Sequence, residues 1–466
     1  MSFLSTVKRW FNMLNPSRAK DEFNVTPITS ADMSEFVARC GRIYGGNPDW
    51  VNGDDHIKTV NFAKSVCSEV ARLAMMGTKI QLDGSARAEW LQAQIDRVYS
   101  QLRYWLEYGC GYGTVIIKPN GNGLDFVAPG QFIITDSDNG EVFGAVFIDQ
   151  QAGAENKCFT RYEYHRFVDG KYIITNKCYI SDSFADKGKA IDMSFTPWAG
   201  LAEETVAEGV DKMLFGVFRT PTANNIDVGS PMGMPIFAEA LEELRDLDVA
   251  YSRNAKEILD SKRTVLMDSD RLIPATVKIS AAHVENALHA AAILPDYIKL
   301  VDGDGASDIY HEINPTLETD VRLTGINALL SQIGYKCGFS NGYFVFNEKS
   351  GMVTATQVEA DDRRTIQLVK DVRDQLEACL DGVFYALDKF ADAYGLAPQG
   401  VYEVVYDFGD ITYNREEDKA RWYGYVSAGR VPFWYYLVKF EGYTEEDAKA
   451  IETAAQPKDK LFGDEE

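Results

Sequence analysis

Basic residues are scarce in this chain. Forty-seven lysines and arginines face 70 aspartates and glutamates over 466 residues, for a formal charge of −23 and a pI near 4.7. That balance argues against a protein that grips nucleic acid electrostatically, because grip needs Lys and Arg to displace counterions. A protein that touches DNA while avoiding adhesion is still allowed. No run of 18 apolar residues occurs, so no membrane span is expected. The segment Met1 to Arg18 is too short and too broken in its apolarity for a signal peptide. Its Phe3, Leu4, Val7, Trp10, Phe11 and Leu14 read as a short helix packing on its own protein or a neighbour, since an acidic chain gains little at anionic lipid. Seven scattered cysteines contain no C-x-x-C pair, which removes a disulfide framework or a zinc site and leaves buried, reduced thiols. Of the five histidines, His283 and His289 lie six apart, which is not a same-face ligand spacing, and no metal or other cofactor is expected. A Walker-type G-x-x-x-x-G-K-[ST] is missing, so ATP hydrolysis is not encoded.

What is present is ordinary in composition: 45% hydrophobic and 25% charged residues, as in a soluble folded protein. The length calls for two or more structural units, with a division near residue 230. Ahead of it, periodicity predicts helices over roughly 30–41, 56–76 and 85–108, the second stopped by Gly77 and the third carrying Trp90, Leu91, Ile95, Val98, Leu102 and Trp105. Strands follow in pairs. Thr114–Lys118 and Leu124–Val127 flank Asn120-Gly121-Asn122-Gly123, Phe132–Thr135 and Val142–Ile148 flank Asp138-Asn139-Gly140, and Phe159–Phe167 and Tyr172–Ile180 flank Asp169-Gly170. Asn-Gly and Asp-Gly supply the positive φ angles of tight hairpins. The expected fold class is α+β, an antiparallel meander set against helices.

Beyond residue 230 the order of elements is unusual. An amphipathic helix after Pro235 carries Phe237, Leu241, Leu244, Leu247, Tyr251, Ala255 and Ile258 on one face, and Glu239, Glu243, Asp246, Arg253, Glu257 and Asp260 on the other. A second, from Leu317 to Cys337, carries Leu323, Ile326, Leu330 and Ile333. About fifty residues of short strands, with a helix near Ser280–Ala292, separate the two, like a small module at the tip of a helical hairpin. A Gly/aromatic loop follows, Gly338 to Met352. It leads into a very long helix with a Thr356/Glu359 capping box, which Gly395 and Pro398 stop. Unbroken from Thr356 to Tyr394, that helix spans about 55–60 Å at ~1.5 Å per residue, more than one globule buries end to end. Tyr402–Tyr406 reads as a strand, followed by helices near Arg415–Ser427, Pro432–Phe440 and Thr444–Ala455 and a frayed tail from Lys458.

Motifs that suggest catalysis fail on context. Gly338-Phe339-Ser340-Asn341-Gly342 matches the G-x-S-x-G nucleophile elbow, but that elbow needs a strand before it and a histidine after it. Here a helix precedes it and the last histidine is His311. Gly109-Cys110-Gly111-Tyr112-Gly113 resembles a phosphate loop in the wrong order, helix before strand, and reads as a tight helix-to-strand turn. The pairs Asp361-Asp362 and Glu242-Glu243 face different directions on their helices, so neither gathers carboxylates at a two-metal spacing of roughly 4 Å. No enzyme is read from these residues. Arg363 and Arg364 are candidates for pairing with acidic residues of a neighbouring subunit.

Several segments together carry a resemblance. Gly233-Met234-Pro235-Ile236-Phe237-Ala238, the helix ending near Lys262-Arg263, Gly338-Phe339-Ser340, and Thr354-Ala355-Thr356-Gln357-Val358 look like portal proteins of tailed bacteriophages, more closely those of long-tailed phages of Gram-positive hosts. Asn61-Phe62-Ala63-Lys64 with Glu69 and Ala74, and Asp407-Phe408-Gly409-Asp410 ahead of Glu416, Asp418 and Gly429, are also similar. The likeness is strongest over 231–395 and weakest over 114–225.

The resemblance implies a portal fold that assembles as a ring, usually of twelve subunits, at one vertex of the virion capsid, built in the host cytoplasm. Residues 1–230 would form the wing, 231–262 and 317–338 the stem helices, and 263–316 a small α/β clip. Residues 339–353 would be the tunnel loop, 354–395 the long wing helix, and 396–466 a strand with the helical crown. Implied partners are the terminase large subunit, a head-completion adaptor, the major capsid and scaffolding proteins, and double-stranded DNA passing through without sequence preference; no membrane is involved. Motor and nuclease chemistry would belong to the terminase. Asn341, Tyr343, Asn347, Glu348, Lys349 and Ser350 would then face the DNA channel from the loop, and Glu239, Glu243 and Asp246 from the stem. The other readings are a different virion head–tail connector or structural ring, and a metal-free hydrolase.

Overall fold

The computed structural model describes residues 21–51, 56–120, 123–153, 157–184, 186, 188–261, 264–268, 298–301, 310–313, 318–345, 363–409 and 415–455. Two compact units occur, one built from residues up to Met75 and from Ile80 to Tyr406, the other from Met76–Lys79 and residues from Asp407 onward. Residues on both sides of position 230 belong to the first unit, so the separation between units falls at Asp407.

Helices α1 (Ala31–Tyr44), α2 (Phe62–Met75) and α3 (Ala86–Tyr112) open the first unit, with β1 (Lys79–Asp83) between α2 and α3. The Ser30 hydroxyl accepts the Met33 N–H and caps α1. Helix α2 begins later than periodicity suggests. Residues 57–61 stay out of the helix, and two of their amides are committed elsewhere: Lys58 N–H donates to Ser252 Oγ and Val60 N–H to Asp248 Oδ1, each at 2.8 Å.

Helix α3 runs four residues longer than expected. Gly109 to Tyr112 belong to it, and only Gly113, at φ +82°, makes the turn. The expectation of a five-residue turn is corrected by packing. A Cβ on Gly109 would stand 2.5 Å from the Phe218 ring, and one on Gly113 would stand 2.2 Å from the Gly233 carbonyl oxygen. These glycines permit the close approach of neighbouring chain segments.

The strands form open sheets rather than one meander. Strand β2 (Thr114–Asn120) pairs with β3 (Gly123–Val127) and with the distant β10 (Gly216–Arg219), giving the order β10-β2-β3. The larger sheet runs β4 (Phe132–Asp138), β5 (Glu141–Ala152), β6 (Cys158–Val168), β7 (Lys171–Ser181) and β8 (Lys189–Ile191), with β9 (Glu204–Ala207) also on β7. Every pairing in these two sheets is antiparallel. Asn139-Gly140 and Asp169-Gly170 all have positive φ, as two-residue hairpins of this hand require. Phe132, Ile134, Ala145, Phe147 and Tyr172 of the larger sheet pack with Ile116, Phe215 and Met234 in one core.

After a short 3-10 turn, α4 (Leu241–Asp260) and α5 (Thr319–Lys336) pack antiparallel. Glu243 near the start of α4 meets Lys336 at the end of α5, and Glu257 meets Arg322 at the opposite ends. Between them β11 (Thr264–Asp268) pairs in parallel with β12 (Ile298–Val301) and antiparallel with β13 (Tyr310–Ile313). The helix expected near Ser280–Ala292 lies outside the described residues. Helix α4 buries Leu241, Leu244, Leu247, Asp248 and Ser252, whereas Tyr251 and Ile258 of the expected apolar face are exposed.

Helix α6 (Arg363–Tyr394) covers 32 described residues, about 48 Å at ~1.5 Å per residue. The Thr356/Glu359 cap lies outside the described residues. Within the first unit, α6 buries side chains from Thr365 to Ala391, against β10, β2, α2 and α3. Strand β14 (Glu403–Asp407) pairs with β1.

The second unit is helical: α7 (Arg415–Ser427), α8 (Phe433–Tyr436) continued by a π-turn over Leu437–Glu441, and α9 (Glu445–Ala455). Thr444 caps α9 by accepting the Asp447 N–H at 3.2 Å. Tyr436, Leu437, Phe440 and Ala448 are its buried apolar residues.

Candidate functional site

The residues singled out by sequence fall on three elements of the first unit. Asp246 on α4 and Glu239 in the 3-10 turn ahead of it are exposed. Glu243 is turned toward α5 instead: its carboxylate binds Lys336 Nζ at 2.5 Å and accepts from Gln332 Nε2 at 3.1 Å, with 13% of the side chain exposed. Lys336 Nζ also donates to the Glu239 carbonyl oxygen. The helical pair is thus clipped at this end by Glu243–Lys336 and at the other by Glu257–Arg322.

The root of the loop is tightly held. Phe339 is fully buried and its ring lies 4.7 Å from Phe344 and 4.9 Å from Tyr343, while Phe344 meets Phe62 of α2 edge-on at 5.1 Å. Tyr343 donates its hydroxyl to Glu69 Oε1 at 2.5 Å, and the same carboxylate takes Arg72. Asn341 Oδ1 accepts from Ser331 Oγ. Both side chains expected to face a channel from this part of the loop are therefore engaged within the chain. Asn347, Glu348, Lys349 and Ser350 lie outside the described residues.

Ser340 is buried, its hydroxyl accepts from Thr365 Oγ1 at 3.1 Å, and its N–H donates to Thr365 Oγ1 at 2.9 Å. It follows α5, so no strand presents it, and its neighbours do not form a nucleophile elbow. At the start of α6, Arg363 and Arg364 are both exposed, and Arg364 donates to the Tyr335 carbonyl with its guanidinium 3.9 Å from the Tyr335 ring centre.

Four polar anchors escaped the sequence reading. Asp248 accepts from Trp50 Nε1 and the Val60 amide, both at 2.8 Å, and so fastens α4 to the segment ahead of α2. Its signal is an acid inside the apolar stripe, four residues after Leu244. Arg373 sits buried on α6 and donates to the carbonyls of Leu73 and Ala74, satisfying the last turn of α2. Arg87 is discussed below.

The fourth anchor is a charge network between the two large sheets. Lys118 of β2 binds Glu163 of β6 at 2.5 Å, Arg161 binds the same carboxylate at 2.7 Å and also Asp149, and His165 Nε2 meets Glu163 Oε1 at 2.6 Å. The ionised Glu163 carboxylate can only accept, so a neutral His165 carries Nε2–H and its Nδ1 accepts the Tyr172 hydroxyl at 2.7 Å, while Tyr172 accepts the Leu214 N–H. Burial lowers the affinity of His165 for a proton more than Glu163 raises it. Burial alone would raise Glu163, but Lys118, His165 and Arg161 hold it well below the ordinary carboxylate range. Each charged group of the cluster faces an opposite charge within it, which marks a structural joint.

All seven cysteines are free and buried. Among the described residues no group of His, Cys, Asp and Glu could hold a metal ion, and no helix is long and apolar enough to cross a membrane.

Among solved structures, chains of gene transfer agent particles are similar to this chain. One belongs to the virion of a native gene transfer agent particle (TM-score 0.43, 11% identity, 89% of this chain and 95% of that chain covered). Another belongs to the neck of an empty particle of that kind, computed with C6 symmetry (TM-score 0.41, 10% identity, 89% and 95% covered). No protein-family model and no curated protein matches the chain.

Proposed function

We propose that this chain is a portal-type subunit that assembles into a ring and conducts double-stranded DNA through its centre. The observation that carries the reading is the antiparallel pair α4–α5, clipped by an ion pair at each end, with the small β12-β11-β13 sheet inserted between its helices. Such a hairpin is a stiff rod carrying a separate docking module. The anchored loop root and the long helix follow it directly in the chain. In the same resemblance, the inserted module takes the terminase during packaging and an adaptor afterwards, and the wing meets capsid and scaffolding proteins.

The chain's charge supports a conduit. Each salt-stable Lys or Arg contact with phosphate would act as friction on moving DNA, whereas an acidic wall keeps the duplex centred. Exposed Glu239 and Asp246 on the stem suit such a wall. Energy for movement would come from the terminase, so the chain itself needs no catalytic group.

Negative-stain microscopy of the purified protein tests this reading. Rings with a central hole are expected. A chain that remains monomeric at all concentrations, or that turns over a substrate, would overturn it.

A further inference from the structure

Helix α3 presents an exposed seam of unusual composition. Arg97, Gln101, Tyr104 and Tyr108 recur at spacings of four, three and four, and all four are exposed. That spacing places them on one helix face, in the pattern used for helix-to-helix contact. The neighbouring Trp105 stacks on Phe126 at 5.7 Å and Tyr108 leans on the same ring at 5.6 Å, so the aromatic border is held in place. The Arg103 guanidinium lies 5.3 Å from the Tyr104 ring centre, and its buried Nε has no hydrogen-bond partner. From Arg97 to Leu106 the helix has two arginines and no acid. Exposed tyrosine beside arginine is the composition of interface hot spots.

Helix α6 has the opposite character. Asp371, Asp374, Glu377 and Asp381 follow one another at spacings of three and four. From Asp371 to Asp388 the one base is Arg373, which is buried against the carbonyls of Leu73 and Ala74. Asp371 accepts from Gln367 and Asp381 from Tyr406, but Asp374 and Glu377 meet no cation among the described residues. Partial burial, then Asp381 and Asp374 beside it, push the Glu377 carboxyl up.

We infer that these two faces meet between copies: the Arg97/tyrosine seam of α3, bordered by the Arg103 guanidinium beside Tyr104, takes the Asp374–Glu377 ridge of α6 on the next copy. The inference rests on the ring reading above and names its subunit contact. Charge complementarity selects the occupant, because copies of a chain at −23 repel one another except where a basic patch meets an acidic one. Two different patches joined head to tail form a heterologous contact, which closes into a ring when the rotation between copies closes. The tyrosines supply the apolar area, and the arginines set register.

Charge exchange tests it. The wild type, Arg97→Glu/Arg103→Glu, Asp374→Lys/Glu377→Lys and the fourfold exchange are compared by native mass spectrometry and negative stain, with thermal melting as a folding check. Each double variant is expected to keep its melting transition and to associate about tenfold more weakly or worse, and the fourfold exchange to restore rings. If the wild type forms rings and either double variant assembles like it, or the fourfold exchange is no better than the doubles, the inference falls and the ring reading stands. If the wild type stays monomeric, both fall.

Discussion

Arg87, in the first turn of α3, holds Asp392, near the end of α6, at 2.5 Å across 305 positions of sequence. Its side chain is wholly removed from water and also donates to Asp388 Oδ1 and to the carbonyls of Asp388, Ala397 and Pro398. One guanidinium thus ties the start of one long helix to the end of another and to the chain that follows it at Ala397 and Pro398.

Replacing Arg87 by Met should therefore cost about 3 kcal/mol, since both carboxylates and three carbonyls lose a buried partner. Arg87→Lys should recover less than half, because an ammonium offers three donors without the planar fork. Chemical denaturation of the three proteins measures this. A loss below about 1 kcal/mol in the Met variant would show the clamp to be dispensable.

Gly216 on β10 and Gly382 on α6 lie back to back. A Cβ on Gly216 would stand 2.0 Å from the Cys379 carbonyl oxygen, a backbone atom with nowhere to go, whereas one on Gly382 would meet Gly216 Cα at 3.1 Å. Gly216→Ala should cost about 2–3 kcal/mol by overpacking, and Gly382→Ala clearly less. Equal melting temperatures for the two variants would contradict this ranking of contacts.

Acid should weaken the joint between the sheets. His165 in the folded chain binds its proton less readily than at its ordinary value of 6.5, so the unfolded chain takes it first and stability falls as pH drops below that value. Glu163, held well below 4.5, adds a second loss at lower pH for the same reason. Melting temperature should thus decline from neutrality toward pH 5, and His165→Gln should flatten the decline in that window while lowering stability overall. An identical slope in wild type and variant would remove His165 as the cause.

Lys349 lies in the Gly/aromatic loop, outside the described residues, and is the one base from Gly338 to Met352. In a ring its copies would form a thin positive belt in an acidic tube. Lys349→Ala should leave assembly intact and alter DNA packaging or retention, read as the genome content of particles. Normal genome content would count against a loop role at the channel.

Local chemistry was the legible part of this sequence. Asn139-Gly140 and Asp169-Gly170 announced their hairpins through backbone preference alone, and Gly395, at φ +61°, stopped α6 where expected. The described part of the Gly/aromatic loop, Gly338 to Val345, follows α5, and it gains its shape from Glu69 and Phe62, nearly three hundred positions away. Distance in sequence also hid the pairing of β2 with β10 and the burial of Arg87, Arg373 and Asp248. A buried charge is indistinguishable from a solvated one until the fold brings its partner. The same holds for Glu243, whose exposed-looking position on a helical wheel conceals a partner on α5.

The burial of every thiol has a practical meaning. Burial raises Cys40, Cys110 and Cys337 to about 12, so at neutral pH they are protonated as well as shielded. A single new cysteine on the surface would then be the preferred target for a maleimide dye or a nitroxide, with no need for a cysteine-free background. Spectroscopic distances between such labels would report the number and spacing of copies in solution, without crystals or intact particles.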